Sequence, residues 1–182
     1  MIFSERLVLD KLDNSHADQY YADWLNDVEI NQFLESRFSF HTPHTCRDYI
    51  NSCNSNSNNL LLGIFHRQSK THIGNIRLSD INHVHKYGTI GLFIGDKSYW
   101  GKGYATEAIN LLTQYSFFKL GLQRIEAGCY QANFGSLRAF LKAGYNVEGF
   151  FTSKFIIGTQ RTSSFLLAKT LVNYNEVDQK DY

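Results

Sequence analysis

Between Tyr87 and Tyr130 the chain reads strand, glycine turn, long helix, strand, and that order leaves little topological freedom. The strand "YGTIGLFIG" (87–95) runs into "YWGKGYATEA" (99–108). Ala105, Ala108, Ile109, Leu112 and Tyr115 then recur at helical spacing. "QRIEAGCY" (123–130) reads as the next strand. A strand, a crossover helix and a second strand in one sheet must pair in parallel, with a right-handed connection. The glycines of the turn have two readings: left-handed turn geometry, or backbone N–H groups bared to an anion at a helix N-terminus, with Lys102 adding charge. Neither common nucleotide loop fits. GxxxxGK[ST] fails because Trp100 stands five residues beyond Gly95, and GxGxxG fails because its last position is Thr106.

Around this unit the pattern is mostly antiparallel. "ERLVLDKL" (5–12) alternates Leu7 and Leu9 with polar neighbours and predicts a first strand. Asn14 or Ser15 is placed to cap a helix through "HADQYYADWLND", and "VEINQFLESRF" continues as a shorter helix ending near Glu35. Thr42-Pro43 opens another helix through Cys46, Tyr49 and Ile50. The polar tract "NSCNSNSNN" (51–59) predicts a surface loop. Strands follow at 60–66 and 72–81. After the crossover come a helix from Asn133 to Ala143, stopped by Gly144, and a closing hairpin around Gly158-Thr159. The fold expected is α+β: a mixed, mostly antiparallel sheet with one parallel β-α-β crossover and flanking helices, as a single domain over 1–182.

Composition narrows the function. The chain has 182 residues, 43% hydrophobic and 15% aromatic, with a net charge of +1. Such balance argues against a nucleic-acid or membrane-surface partner. No apolar run approaches the roughly 20 residues of a membrane helix, and the charged N-terminus is unlike a signal peptide. Cys46, Cys53 and Cys129 lack metal or disulfide spacing, so they read as ordinary thiols in the cytoplasm. His41, His44, His83 and His85 have no carboxylates spaced to complete a metal site.

Four stretches together resemble the GNAT acetyltransferases, in their RimJ/RimL-like branch. "YWGKGYATEA" is similar to the acetyl-CoA pyrophosphate loop, "SERLVLDKL" to the opening TERLxLRPL strand, and "TIGLFIG" to the strand before the loop. "NFGSLRAFLKAGYNVEG" is similar to the NxxSxxxxxKxGF-type helix and turn. The loop pattern is Q/R-x-x-G-x-G/A, with Gly103 and Ala105 in the small positions and Trp100 where Gln or Arg is usual. The resemblance implies a GNAT-like fold and acetyl-CoA as co-substrate, without a metal. Gly101, Lys102, Gly103, Tyr104, Ala105 and Thr106 would wrap the pyrophosphate. Phe93, Ile94 and Gly95 would pair with the pantetheine arm, beside Trp100, Asn133, Ser136 and Phe140.

The expected reaction is direct acetyl transfer to a primary amine in a ternary complex, with a small amine or amino sugar slightly favoured over a protein N-terminus. An α-amine of pKa about 7.8 is roughly one part in seven neutral at pH 7, against about one part in 2,500 for lysine, so the acceptor decides how much a base matters. Glu126 is the candidate base, with an outward strand carboxylate as its plainer reading. Ser136 is the candidate near the CoA sulfur, and a local backbone bond its alternative. Glu107 reads as a dipole-stabilising residue of the helix's first turn. Glu35 and Arg37 are candidates for acceptor binding, Glu35 for an amine and Arg37 for an anionic group. Thr89 and Phe140, where relatives often carry an acid and a tyrosine, motivate the alternative of an inactive CoA-binding module. A homodimer is an open possibility for its assembly.

Overall fold

A computed structural model describes residues 1–171; the expected domain's last residues, 172–182, lie outside the described residues. One eight-stranded sheet organises the chain, in the order β1-β2-β3-β4-β5-β6-β8-β7. The strands are β1 (Ile2–Phe3), β2 (Leu7–Lys11), β3 (Leu60–His66), β4 (His72–Asn82), β5 (Tyr87–Ile94), β6 (Arg124–Tyr130), β7 (Asn146–Ile157) and β8 (Gln160–Thr170). Every neighbouring pair is antiparallel except β5 and β6. This is the α+β architecture expected, with its single crossover through α4 (Tyr104–Phe118).

The sheet is covered on both faces. Over one face lies α4, whose Ala108, Ile109 and Leu112 pack on Leu7, Leu9, Ile76, Ile90 and Ile125. The neighbouring α5 (Phe134–Lys142) adds Ala139 and Phe140 to the same core. A second core joins Leu61 to α1 (Gln19–Asn26) and α3 (Pro43–Ser55), through Tyr21, Ala22, Leu25, Cys46 and Ile50. None of the described helices is long and apolar enough to cross a membrane.

Three local expectations are corrected. Neither Asn14 nor Ser15 caps the first helix: Asp13 caps a 3-10 turn at Asn14–His16, and Asp18 caps α1 by accepting from the Tyr21 N–H at 2.9 Å. The next helix is broken. Asp27 caps α2 (Val28–Asn31), and a separate 3-10 turn follows at Glu35–Phe38. The asparagine-rich tract is half helical, because α3 runs on to Ser55. Cys53 is buried there, and Asn54 donates from Nδ2 to the Leu12 carbonyl at 2.9 Å. Tertiary contacts have overridden weak helix propensity.

The β5–β6 pairing positions the site. It consists of Tyr87–Arg124, Gly88–Ile125 and Thr89–Glu126, and no later pair forms. From Ile90 onward β5 keeps, among the described residues, β4 alone as its neighbour, while β6 continues along β8. A gap therefore opens in the sheet, and the Asn133 end of α5 borders it. Gly95, just past β5, is buried and donates to the Ile73 carbonyl at 2.8 Å. A Cβ on Gly95 would lie 2.1 Å from Trp24 Cδ2. Gly95→Ala is therefore expected to cost roughly 1–3 kcal/mol by overpacking, read as a lower urea midpoint at unchanged slope.

Candidate active site

Two cavities meet in the gap. The first, about 500 Å³, runs along the end of β5, the glycine turn and the first turns of α4 and α5. The second, about 700 Å³, lies between β4, β5 and β6 on one side and the α1–α3 segment on the other. Leu92 and Phe93 from β5 line both, as do Asn133 and Ser136 from α5.

The glycine turn ends the first cavity. Gly101 and Gly103 have φ of +73° and +84°, a conformation that side-chain-bearing residues adopt only under strain. Gly103 is the N-cap of α4, and no side chain caps it. Glu107 is the first N–H of the turn with a helical acceptor. The N–H groups of Tyr104, Ala105 and Thr106 have no acceptor among the described residues. Turn geometry and bared donors thus coexist at the same two glycines, with the positive end of the helix dipole behind them.

A carboxylate holds this turn in place. Glu107 Oε1 accepts from Ser4 Oγ at 2.7 Å and from the Arg6 N–H at 2.9 Å. Its Oε2 pairs with Arg6 Nε at 2.7 Å and Nη2 at 2.6 Å. Arg6 also donates from Nη1 to the Lys102 carbonyl at 3.1 Å, and its guanidinium lies 4.3 Å from the Tyr104 ring centre. Glu107 is thus more than a first-turn acid: it bridges the strand opening to the turn. Trp100 reaches back to β5, donating from Nε1 to the Ile94 carbonyl at 2.8 Å.

Most of the residues expected to hold the donor line the first cavity, with three exceptions. Lys102 is exposed, and its carbonyl supports Arg6. Gly95 is packed under Trp24. Phe140 is buried edge-on to Tyr145 and lines the second cavity instead. The sequence reading missed Arg138 and Lys142, one helical turn apart on α5, which add cationic lining to the first cavity. Their spacing of four residues on a helix was the available clue.

Ser136 sits where the two cavities join. Its N–H donates to Asn133 Oδ1 at 3.1 Å, so Asn133 is the cap of α5. The Ser136 hydroxyl makes no bond to a described protein group. Tyr145, the nearest ring to Phe140, shares a 2.7 Å hydrogen bond with Thr113 in the core, and burial pushes its hydroxyl up.

The expected base and acceptor residues divide. Glu126 lies at the closed end of the gap and accepts from Arg124 Nε at 2.7 Å, while Arg124 also pairs with Glu148 at 2.5 Å. It lines neither cavity. Glu35 lines the second cavity and accepts from the Tyr130 hydroxyl. Burial raises the Tyr130 hydroxyl, and its bond to Glu35 raises it further, so it stays protonated as the donor. Arg37 donates to Tyr130 Oη and to the Ile156 carbonyl, each at 3.0 Å, and to the Leu34 carbonyl at 2.7 Å. Its fork is occupied by the protein, so it positions Tyr130 and Glu35 and leaves no free edge for an acceptor. Tyr130 was missed; it is the polar-tipped last residue of a strand otherwise read as core.

The Acetyltransferase (GNAT) domain family model matches residues 6–146. The probable N-acetyltransferase YjcK of Bacillus subtilis (strain 168) is 42% identical over 88 residues, which is 48% of either chain, so the match spans about half of that relative. The uncharacterized N-acetyltransferase YoaA of the same organism is 29% identical over 80% of this chain and 82% of its own. A spermidine N-acetyltransferase from Vibrio cholerae, solved with CoA and spermine, superposes with a TM-score of 0.81 at 20% identity, covering 92% of this chain and 96% of that one.

The Glu107 bridge carries a pH signature. Burial raises its carboxyl, but hydrogen bonds from Ser4 and Arg6 and the Arg6 charge outweigh this and hold it below its ordinary value of 4.5. Its stabilisation is complete above that ordinary value and is lost as pH falls through the lower native one. Thermal melts of the wild type and Glu107→Gln should therefore differ by a constant gap at neutral pH that closes on acidification.

Proposed function

The chain belongs to the GNAT acetyltransferase family, N-acetyltransferases with acetyl-CoA as co-substrate, and on that premise we propose how its two cavities divide the reaction. The first takes acetyl-CoA and the second the amine, which meet beside Ser136. The observation that carries this reading is the gap itself: a β5 edge unpaired among the described residues leads directly to a helix N-terminus whose donors have no acceptor there either.

The residues present fit such a donor. Gly101, Gly103 and the first turn of α4 offer N–H groups to a pyrophosphate, with Arg138 and Lys142 supplying charge. The stretch Leu92–Ile94 offers backbone to the pantetheine arm, as an added strand would use it. Acetyl-CoA supplies an activated acyl carbon and a thiol leaving group. Ser136 Oγ hydrogen-bonds the sulfur side. A β5 N–H polarises the acyl oxygen; the Gly95 N–H is not available for this, being bonded to Ile73. Glu35, held by Tyr130 and Arg37, attracts the amine and accepts its proton directly or through water. This assigns the base role to Glu35 in preference to Glu126.

Holding both substrates in line accounts for much of the acceleration, up to roughly 7–11 kcal/mol in ideal intramolecular cases. The RimJ/RimL-like branch, a primary amine acceptor and a cytoplasmic setting belong to this same reading. Sequential kinetics are expected, with intersecting initial-velocity lines; parallel lines would contradict direct transfer.

The donor site is tested at Gly103 by calorimetric titration with acetyl-CoA. Gly103→Asn, which tolerates the left-handed conformation, should retain most of the binding. Gly103→Asp, which places a negative charge at the bared N–H groups, should abolish it. Equal loss in both would assign the glycine to the turn alone. Ser136→Ala should lower kcat by roughly 10- to 100-fold while leaving the KM for acetyl-CoA nearly unchanged, as expected for a bond strengthened in the transition state.

A further inference from the structure

Of the strands that line the second cavity, β4 is central, paired with β3 and β5. Because the sheet is covered on both faces, apolar residues are expected on both faces of β4. One face of β4 instead carries Asn75, Arg77 and Ser79 in alternation. Asn75 and Arg77 both line the cavity.

Arg77 is half-buried, and its Nη1 donates to the neutral Tyr49 hydroxyl at 3.0 Å. Arg6, Arg37 and Arg124 each have a carboxylate within 4.0 Å, whereas Arg77 has none among the described residues. Glu35, the one acid among the described lining residues, is already held by Arg37 and Tyr130. Across the strand pair Arg77 faces Gly91, where an added Cβ would meet nothing within 4 Å, so no side chain fills the cavity wall opposite Arg77.

Asn75 adds a second donor. It is 3% exposed, and its Oδ1 accepts from His72 Nε2–H at 2.7 Å. Burial holds the His72 imidazole below its ordinary value, so the ring is neutral. The Asn75 amide nitrogen is then left without an acceptor at hydrogen-bond geometry among the described residues, with the buried Tyr21 hydroxyl as its polar neighbour. A half-buried charge without a counter-ion and a buried amide without an acceptor are both costly. One anionic ligand group answers both, and a polycation answers neither.

We propose that the amine acceptor carries an anionic group, a carboxylate or a phosphate, gripped by Arg77 with Asn75 as the second donor. This rests on the assignment of the second cavity to the acceptor. A bidentate guanidinium contact suits either oxyanion.

The test offers the full chain, with acetyl-CoA, pairs of amines that differ in the anion: leucine with leucinamide, and phosphoethanolamine with ethanolamine. Spermidine is the polycationic comparison, and thiol release gives the rate. In at least one pair the anionic member should be preferred in kcat/KM by roughly 10- to 100-fold, and which pair responds separates carboxylate from phosphate. Arg77→Gln should erase the preference, and Arg77→Lys should keep part of it, with acetyl-CoA titrations unchanged in both. Equal or better use of the neutral members or of spermidine overturns the proposal, as does a preference that survives Arg77→Gln. Should no amine react, the same pairs are titrated into protein saturated with CoA, and equal or absent binding of the anionic members overturns it. Acetyl-CoA titrated alone separates the two readings. A protein that binds none defeats the donor site and the acceptor inference with it; one that binds it yet prefers spermidine defeats only the anionic acceptor.

Discussion

Three residue pairs hold β5 against β6, and then the pairing stops. Both cavities of the molecule open along that early ending. A sheet normally satisfies its backbone by adding neighbours; here β5 from Ile90 onward is left, among the described residues, with β4 alone. The unpaired edge is not exposed as an ordinary sheet edge, because α5 and the segment before α3 stand beside it and turn the gap into two cavities. The single parallel pair is therefore more than a topological detail. It brings the start of α4 and the start of α5 to the same end of the sheet, where both helices present their N-termini.

Side-chain links then fix the walls of the gap to one another. Glu107 and Arg6 tie the N-terminal strands to the glycine turn. Lys97, beyond β5, pairs with Asp27 at 2.8 Å and Glu29 at 2.6 Å, which joins α2 to the approach of the turn. Those carboxylates are exposed, so the link is worth little as stability; its effect is on where α2 stands. Arg37 joins the 3-10 turn that carries Glu35 to Tyr130 on β6 and to β7. The cavities are walled by elements far apart in sequence, and a few polar side chains set their spacing.

The sequence made the framework legible for physical reasons. Alternation at Leu7 and Leu9, helical spacing from Ala105 to Tyr115, and glycines at 101, 103 and 144 are local patterns with local causes, and each matched the structure. The failures lie where tertiary contacts decide. Cys53 and Asn54 hold a helical turn that their asparagine-rich surroundings would not form alone. The sequence does not show the partners of Arg37 and Glu126, which are engaged by Tyr130, the Ile156 carbonyl and Arg124. Asn75 and Arg77 escape notice in the sequence because an alternating polar face is ordinary in an antiparallel strand; only the fold shows that the α1–α3 segment covers that face of β4.

The two cavities share Leu92 and Phe93, neighbours on one strand that point to opposite faces. The walls of both cavities are therefore set by the same short stretch of backbone, and β4 fixes its phase through Ile76–Leu92 and Asn75–Phe93. A shift of one residue would exchange the two faces at a stroke. Loops and helices around the gap can shift without moving that strand, but a change of step in β5 would turn both cavity walls inside out.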